Sequence, residues 1–477
     1  MNKYSHKIAA ASIFVGALTF TPLFCHLPQV SVAYAEIKPY IGVGKYIISD
    51  FEDYEIAKQR AKYRAEQDAK DKAGVYLRNY SSTSNARLTE NDILTITNNI
   101  VNEISIDYQK KPFEAYDNNG KSYGEVGIMC VATIKVNIDT DGIANYLKFD
   151  SQTKLSLINQ TKEVQKSAEE NDKKVELLRE RAVNAKTVAE REQIKAEYKQ
   201  ADKEFLANEK CKQGIRLFYK ASYNVAINKF NESIQLNPTF YLSYKGRGLA
   251  YSRLHQHDKA LADFNKTIEL NPNDDNAYYN RGITYYELEN FNQALTDFTR
   301  AITINPKYSD SYTNRGITYT VLKEYDKAFT DFNKAIELNP NDSSAYNGLG
   351  NVYRRLFNNL LKAIEYYTKA IEVDPNLDVA YINRALVYGR DLNNYETAIE
   401  DLTKAIEINP NNYDYYFNRA GCYSLLNQYE KAIADYDKAL ELAPNNSKIY
   451  YWRGKCYEQL GNTAKAQADY AKAKQLE

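Results

Sequence analysis

At 477 residues the chain has room for two or three domains. Lys+Arg and Asp+Glu each number 62, and this zero formal charge argues against the pull on nucleic acid or anionic lipid that a basic chain exerts. Hydrophobic residues make up 44% and tyrosine occurs 43 times, a composition that suits a folded protein rich in half-buried aromatic contacts.

Lys3, His6 and Lys7 precede an apolar run from Ile8 to Phe24, and Ala33-Tyr34-Ala35 supplies a small-x-small cleavage pattern. The expectation is a secretory signal peptide over 1–35, removed before Glu36, and an exported mature chain in the cell envelope or outside the cell. Cys25 follows Phe24, which is too large for a lipoprotein cleavage site, so lipidation is not expected. No later run approaches the ~18 apolar residues of a membrane span.

Residues 36–146 read as a small α+β domain. "YIGVGKYIIS" predicts a strand with glycines at close approaches. A helix from about Glu52 to Leu77 sets Ala57, Ala61, Ala65, Ala69 and Ala73 on an i, i+4 row, a flat face suited to lying on a sheet. Thr89 with Asp92 makes a capping-box start for a second helix. Asn119-Gly120 predicts a hairpin turn, and Val126, Ile128, Cys130, Ala132, Ile134 and Val136 alternate along a strand after it. This strand-first, alanine-rich pattern resembles the small domain of bacterial exported proteins of the LPP20 and flagellar FlgT N-terminal type, over about 110 residues; the resemblance implies envelope association rather than catalysis.

Residues 143–213 contain neither Gly nor Pro. Leu157, Val164 and Leu178, with Asn171 interrupting, and Thr161, Ala168, Val175, Ala182, Ala189 and Ala196 keep a seven-residue spacing. The connector, 147–206, is expected to be one long helix or an antiparallel helical hairpin.

The remainder is a repeat array. Pro238, Pro272, Pro306, Pro340, Pro375, Pro410 and Pro444 are 34, 34, 34, 35, 35 and 34 residues apart, each stopping a helix. Between prolines lie two amphipathic helices, as in "NAYYNRGITYYELE" and "FNQALTDFTRAITI". Tyr278, Gly282 and Tyr285 share one face and Ala294, Phe298 and Ala301 another, with Gly282 and Ala294 small where the helices approach. This succession, at this period, resembles the tetratricopeptide repeat from about Ala207 to Glu477. Eight units are expected, near 207–240, 241–274, 275–308, 309–342, 343–377, 378–412, 413–446 and 447–477. The resemblance implies a mainly α chain built around a right-handed α-solenoid. Two units, near 353–363 and 388–398, carry one extra residue, expected in a longer turn between their helices. The first unit has lost the Tyr and the Arg, as a terminal repeat does, and the last helix carries a Lys/Gln-rich outer face.

Residues that carry chemistry are few. His255 and His257, with Asp258, fall in "HQHDKA" between two repeat helices, where i, i+2 positions supply at most two of four metal ligands, so an exposed turn is expected. "DTDGIANYLKFD" from Asp139 has Ala144 where a calcium loop needs glycine and reads as a strand-ending turn. Cys130, Cys211, Cys422 and Cys456 are expected as small buried packers; the last two occupy equivalent places in adjacent repeats. No phosphate loop, nucleophile elbow or Cys/His pair is present, so no enzyme and no cofactor is expected. Trp452, the single tryptophan, offers no glycan-binding platform.

Binding surface is expected instead. The resemblance implies that first helices line a concave groove, placing there Lys245, Leu249, Arg253, Tyr279, Ile283, Tyr286, Thr313, Ile317, Asn347, Asn351, Arg354, Arg355, Arg390, Phe417 and Tyr451. An extended peptide with an apolar and an acidic part suits that layout. Lys245 and Asn280 fit two places of the carboxylate clamp of chaperone-binding members, but Leu249 and Asp310 stand where polar or basic residues are needed. The leading expectation is an exported interaction scaffold; the alternative is a self-assembling envelope component whose head or connector oligomerises, with the solenoid as spacer.

One charge needs its own account. Arg247, Arg281, Arg315, Arg384, Arg419 and Arg453 sit inside the apolar stripe, and Asp263, Asp297, Asp331, Asp401, Asp435 and Asp469 follow them by 16 or 17 residues. Where one unit has Leu349, its counterpart is Tyr366; the first unit has Gln213 and Lys229. Joint presence and joint loss predict an ion pair joining the two helices of each repeat: Arg247–Asp263, Arg281–Asp297, Arg315–Asp331, Arg384–Asp401, Arg419–Asp435 and Arg453–Asp469.

Overall fold

The computed structural model of the chain describes residues 40–48, 53–83, 101–116, 122–138 and 151–476. The signal segment, the helix start at Thr89, the Asn119-Gly120 turn and the 139–150 segment lie outside the described residues. The chain divides into two compact units, one ending at Leu270 and the other running from Asn271 to Glu477.

The first unit begins with strand β1 (Tyr40–Ile48), helix α1 (Tyr54–Thr83) and strands β2 (Val101–Tyr116) and β3 (Ser122–Ile138). The sheet is antiparallel with order β1-β3-β2, Tyr40 opposite Val136 and Val101 opposite Ile138. The alanine row of α1 is fully buried against it. Gly42 and Gly44 make this approach possible, because a Cβ on either would collide with the α1 backbone at Ala65 or Ala61. Strand β2 went unread in the sequence because Pro112 and the run of polar residues around it blur its alternation.

The connector is a hairpin of α2 (Ser151–Asn184) and α3 (Val188–Tyr219), with Thr187 and Glu190 forming a capping box at the start of α3. Helix α3 runs unbroken through 206/207, so the expected domain boundary there falls inside one helix that also serves as the first helix of repeat 1. The seven-residue seam is buried along α2 from Leu157 to Leu178 and then fails: Ala189 and Ala196 are exposed. The turn at 185–187 resets the helical phase, and Ile194, Tyr198, Ala201 and Phe205 carry the buried face of α3 instead. Buried ion pairs tie α1 to the hairpin, with Arg60 reaching Asp172 and Asp202, and Glu66 receiving Lys212 and Arg216.

Repeat 1 is completed by α4 (Tyr223–Leu236), and repeat 2 is α5 (Tyr241–Arg253) with α6 (His257–Leu270). The second unit holds repeats 3 to 8: α7 (Asp275–Glu287) with α8 (Phe291–Ile304), α9 (Ser309–Val321) with α10 (Tyr325–Leu338), α11 (Ser343–Arg355) with α12 (Leu360–Val373), α13 (Asp378–Leu386) with α14 (Tyr395–Ile408), α15 (Tyr413–Leu425) with α16 (Tyr429–Leu442), and α17 (Ser447–Gln459) with α18 (Thr463–Leu476).

Each repeat turns between its helices through one left-handed residue: Ala221, His255, Glu289, Lys323, Asn358, Asn393, Asn427 and Gly461. His255 therefore serves a turn, and among the described residues no group of three His, Cys, Asp or Glu is gathered that could hold a metal ion. Also among the described residues, no helix is long and apolar enough to cross a membrane.

The two 35-residue spacings are absorbed differently. In repeat 5 the extra residue lengthens the turn, as expected. In repeat 6 it enters the first helix instead, as a π-helical turn over Val387–Asp391 closed by Leu392 N–H donating to the Val387 carbonyl at 3.1 Å. The turn that follows has the ordinary length, so the expectation of a longer turn near 388–398 is corrected.

Candidate binding site on the first helices of the repeats

The arginine of each repeat is a clasp. Arg281 Nε and Nη2 donate to the two carboxylate oxygens of Asp297 at 2.7 and 2.7 Å. The same fork joins Arg247 to Asp263, Arg315 to Asp331, Arg384 to Asp401, Arg419 to Asp435 and Arg453 to Asp469. Burial pulls the Arg281 guanidinium down, but the Asp297 hydrogen bonds override it and hold Arg281 above its ordinary value. Burial also holds Asp297 above the usual carboxylate value, against the pull of Arg281.

A third contact does not show in the Arg–Asp spacing. Nη1 of five of the six arginines reaches back 16 residues to the second helix of the preceding repeat: Arg315 to Thr299, Arg384 to Thr368, Arg419 to Thr403, Arg453 to Asp437 and Arg247 to Asn231. A polar residue recurs at that offset, which is the signal that reveals it. The clasp thus binds three helices and is occupied by structure. In repeat 5 Leu349 is buried and Tyr366 stacks on Tyr353 at 5.1 Å and 12°, so aromatic packing stands where the ion pair would be.

The expected groove residues divide. In the first unit α2 covers the first helices of repeats 1 and 2. Leu157 and Val164 share a core with Ile215 and Leu249, Gln160 donates to the Leu242 carbonyl at 2.7 Å, and Lys245 is 1% exposed with its ammonium 2.9 Å from Glu163. Lys245 and Leu249 are therefore internal contacts, not groove surface; Arg253 stays exposed.

In the second unit Tyr279 and Thr313 are also buried, the first against Tyr308 and the second donating to Asp342, because this helix position packs against the next repeat. Asn347 accepts from Asn383, and Asn351 accepts from Tyr367. Arg354 is paired with Asp391 at 2.7 Å. Ile283, Tyr286 and Ile317 are half-buried, while Arg355, Arg390 and Tyr451 reach the surface.

Phe417 and Arg390 meet at a cavity of about 670 Å³ on the first helices of repeats 6, 7 and 8. Leu402, Tyr436, Cys422 and Cys456 form its floor, and Leu425 and Trp452, 61% and 48% exposed, stand at its edge. Arg390, Asn418, Asn427, Lys455 and Gln459 supply its polar atoms; among the described residues no carboxylate lines it.

The cavity lies where repeats 6 and 7 each place a glycine on the groove face. Along one groove row stand Leu249, Ile283, Ile317, Asn351, Leu386, Gly421 and Lys455; along the next, Ser252, Tyr286, Thr320, Arg354, Gly389, Ser424 and Glu458. Gly421 is the informative one. Gly214, Gly246, Gly248, Gly282, Gly316, Gly348, Gly350 and Gly454 each have an aromatic ring carbon under 3.0 Å from where a Cβ would stand. Gly421, inside α15, has nothing within 4 Å and an ordinary helical φ. Neither packing nor backbone conformation requires a glycine there, although glycine within a helix costs about 0.5–1 kcal/mol relative to alanine.

The floor is uncharged. Burial pushes the Cys422 thiol up to about 11, against the pull of Arg390, and raises Cys456, whose sulfur lies 2.9 Å from Ser424 Oγ. Burial likewise holds the Tyr436 phenol above its ordinary range.

Family comparison agrees with the geometry. Models described as tetratricopeptide repeat match residues 241–274, 276–308, 309–342, 332–365, 379–412, 402–434 and 447–477, and one described as TPR repeat matches 422–461. The chain carries an array of tetratricopeptide repeats. Repeat 1, at 207–240, lies outside those matches. No curated protein matches the chain. Among solved structures it is similar to YrrB, described as "a TPR protein with an unusual peptide-binding site", at 28% identity over 38% of this chain and 92% of that one, TM-score 0.31. It is also similar to a tetratricopeptide repeat protein from Parabacteroides merdae (20% identity, 52% and 98% covered, TM-score 0.44) and to MamA (25%, 34% and 94%, 0.32). Tetratricopeptide repeats bind protein or peptide partners, and on that ground this array is an interaction scaffold.

Proposed function

We propose that the protein is an exported, non-enzymatic scaffold that holds a protein partner by one of its segments, seated on the first helices of repeats 6 to 8. Gly421 carries this reading: a helix-interior glycine with no packing role keeps open a cavity whose edge exposes Leu425 and Trp452. A hollow of this size with an apolar floor and a few polar groups is how proteins take up a discrete ligand group. Export follows from the signal-like segment before Glu36.

The test places a photo-crosslinking residue at Leu425 and, as control, at exposed Leu177 of α2, in cells expressing the full chain. A protein partner captured only from Leu425, and lost when Gly421→Leu is added, supports the reading. Equal capture from both positions, or capture that survives Gly421→Leu, ends it.

A further inference from the structure

We infer that the hollow of repeats 6 to 8 selects an acidic segment bearing one bulky apolar side chain, which fills the space opposite Gly421 while a neighbouring carboxylate meets Arg390 and Lys455. This rests on the reading of that face as the binding site and names what it binds.

Charge complementarity gives the sign. Among the described residues the cavity has two cationic side chains and no anionic one. The nearest acid in sequence to Arg390, Asp391, is taken by Arg354, and Arg390 itself donates to a neutral partner, Asn418, at 2.9 Å. Lys455 holds Glu458, on the same helix, at 3.0 Å, an exposed pair that a second carboxylate can share. The π turn of repeat 6 sets Arg390 and Gly389 where they line the cavity, so the extra residue and the small residues serve one place.

Size gives the anchor. Gly421 stands where other repeats carry Leu, Ile, Asn or Lys, so the missing volume is that of a side chain, over a floor of Leu402, Tyr436 and two protonated thiols. The chain also contains an example of the chemistry. In the first unit α2 presents Leu157, Val164 and Glu163 to the first helices of repeats 1 and 2, and Glu163 is received by Lys245. An apolar side chain beside a carboxylate is thus what this chain already places on a face of the same kind.

Trp452 is the chain's single tryptophan and stands on the cavity edge, so its emission reads occupancy directly. The full mature chain is titrated with three capped octapeptides free of tryptophan: one phenylalanine among glutamates and glycines, the same with lysines for glutamates, and the first with alanine for phenylalanine. The expected result is a saturable Trp452 change with the first and at least tenfold weaker binding of the other two. Gly421→Leu is expected to weaken the first peptide at least tenfold while melting no lower than the parent. Arg390→Glu is expected to shift preference toward the lysine peptide. Equal affinity for the glutamate and lysine peptides, or no response to any, overturns the inference. A lysine peptide that binds best yet is lost in Gly421→Leu overturns the acidic segment while leaving the cavity as the binding face.

Discussion

The first helices of repeats 2 and 7 follow one template and end differently. In repeat 2 the face is filled: α2 lays Leu157 and Val164 on Leu249, and Lys245 is 1% exposed beneath Glu163. In repeat 7 the equivalent row holds Phe417 and Gly421 at an open cavity, with Leu425 61% exposed beside it. The residues that build the helix pair are of the same kind in both: the clasp is Arg–Asp in each, and a small residue faces an aromatic one, Gly248 and Phe264 in repeat 2 and Ala420 and Tyr436 in repeat 7. What separates a filled face from an open one is the residue at two or three positions that the repeat pattern leaves free.

The clasp should matter equally in both regions, which is the strongest way to separate scaffold from site. Asp263→Ala in repeat 2 and Asp435→Ala in repeat 7 each leave a half-buried guanidinium without its carboxylate and are expected to cost about 3–5 kcal/mol. Hydrogen exchange of the affected repeat is the appropriate measure, because long arrays need not unfold in one step. Replacing both partners as repeat 5 does, with Arg419→Leu and Asp435→Tyr, is expected to recover most of the loss.

Truncation of apolar groups should split the two regions. Leu157→Ala is expected to cost about 2–5 kcal/mol because its side chain is 1% exposed. Leu425→Ala, on the open edge, is expected to stay within about 0.5 kcal/mol. Similar costs for the two, in denaturant melts of the matched units, would erase the distinction between filled and open faces.

The thiol in the cavity floor adds a pH signature. Cys422 titrates near 11 in the folded chain against about 9 when unfolded. Its contribution to stability is therefore complete below pH 9 and is lost as pH rises through 11. With the other cysteines replaced by serine, alkylation of Cys422 at pH 8 should be about a hundredfold slower than in the unfolded chain. A rate matching the unfolded chain would mean that burial in the cavity floor does not hold the Cys422 thiol protonated.

The smallest effect is a change of sign. Gly421→Ala should stabilise its helix by about 0.5–1 kcal/mol, since nothing occupies the space its Cβ would enter. Gly282→Ala, which would press on the Phe298 ring, should destabilise instead.

Much of the architecture was legible in residue spacing. Prolines 34 and 35 apart delimit the repeats, the alanine row of α1 announces a close sheet contact, and the joint loss of Arg and Asp in repeat 5 points to their partnership. Other features need three dimensions. Spacing of 35 announces an extra residue in repeat 6 but cannot say whether a turn or a π-helical turn absorbs it. The covering of Lys245 and Leu249 depends on where the α2–α3 hairpin folds, and a seven-residue seam that continues past Ala182 hides that fold. Among the residues of the cavity, Arg390 and Phe417 were read from register. Gly421 carries no signal in the sequence, because a glycine in a helix ordinarily reads as a close contact, and only the folded packing shows that nothing approaches it.

The central claim is that Gly421 keeps a site open rather than serving the fold. Its most direct test measures two quantities on one variant, Gly421→Leu: the melting temperature and the Trp452 response to the glutamate–phenylalanine peptide. The account predicts a melting temperature equal to or above the parent with peptide affinity reduced at least tenfold. A lowered melting temperature with peptide affinity intact would contradict it.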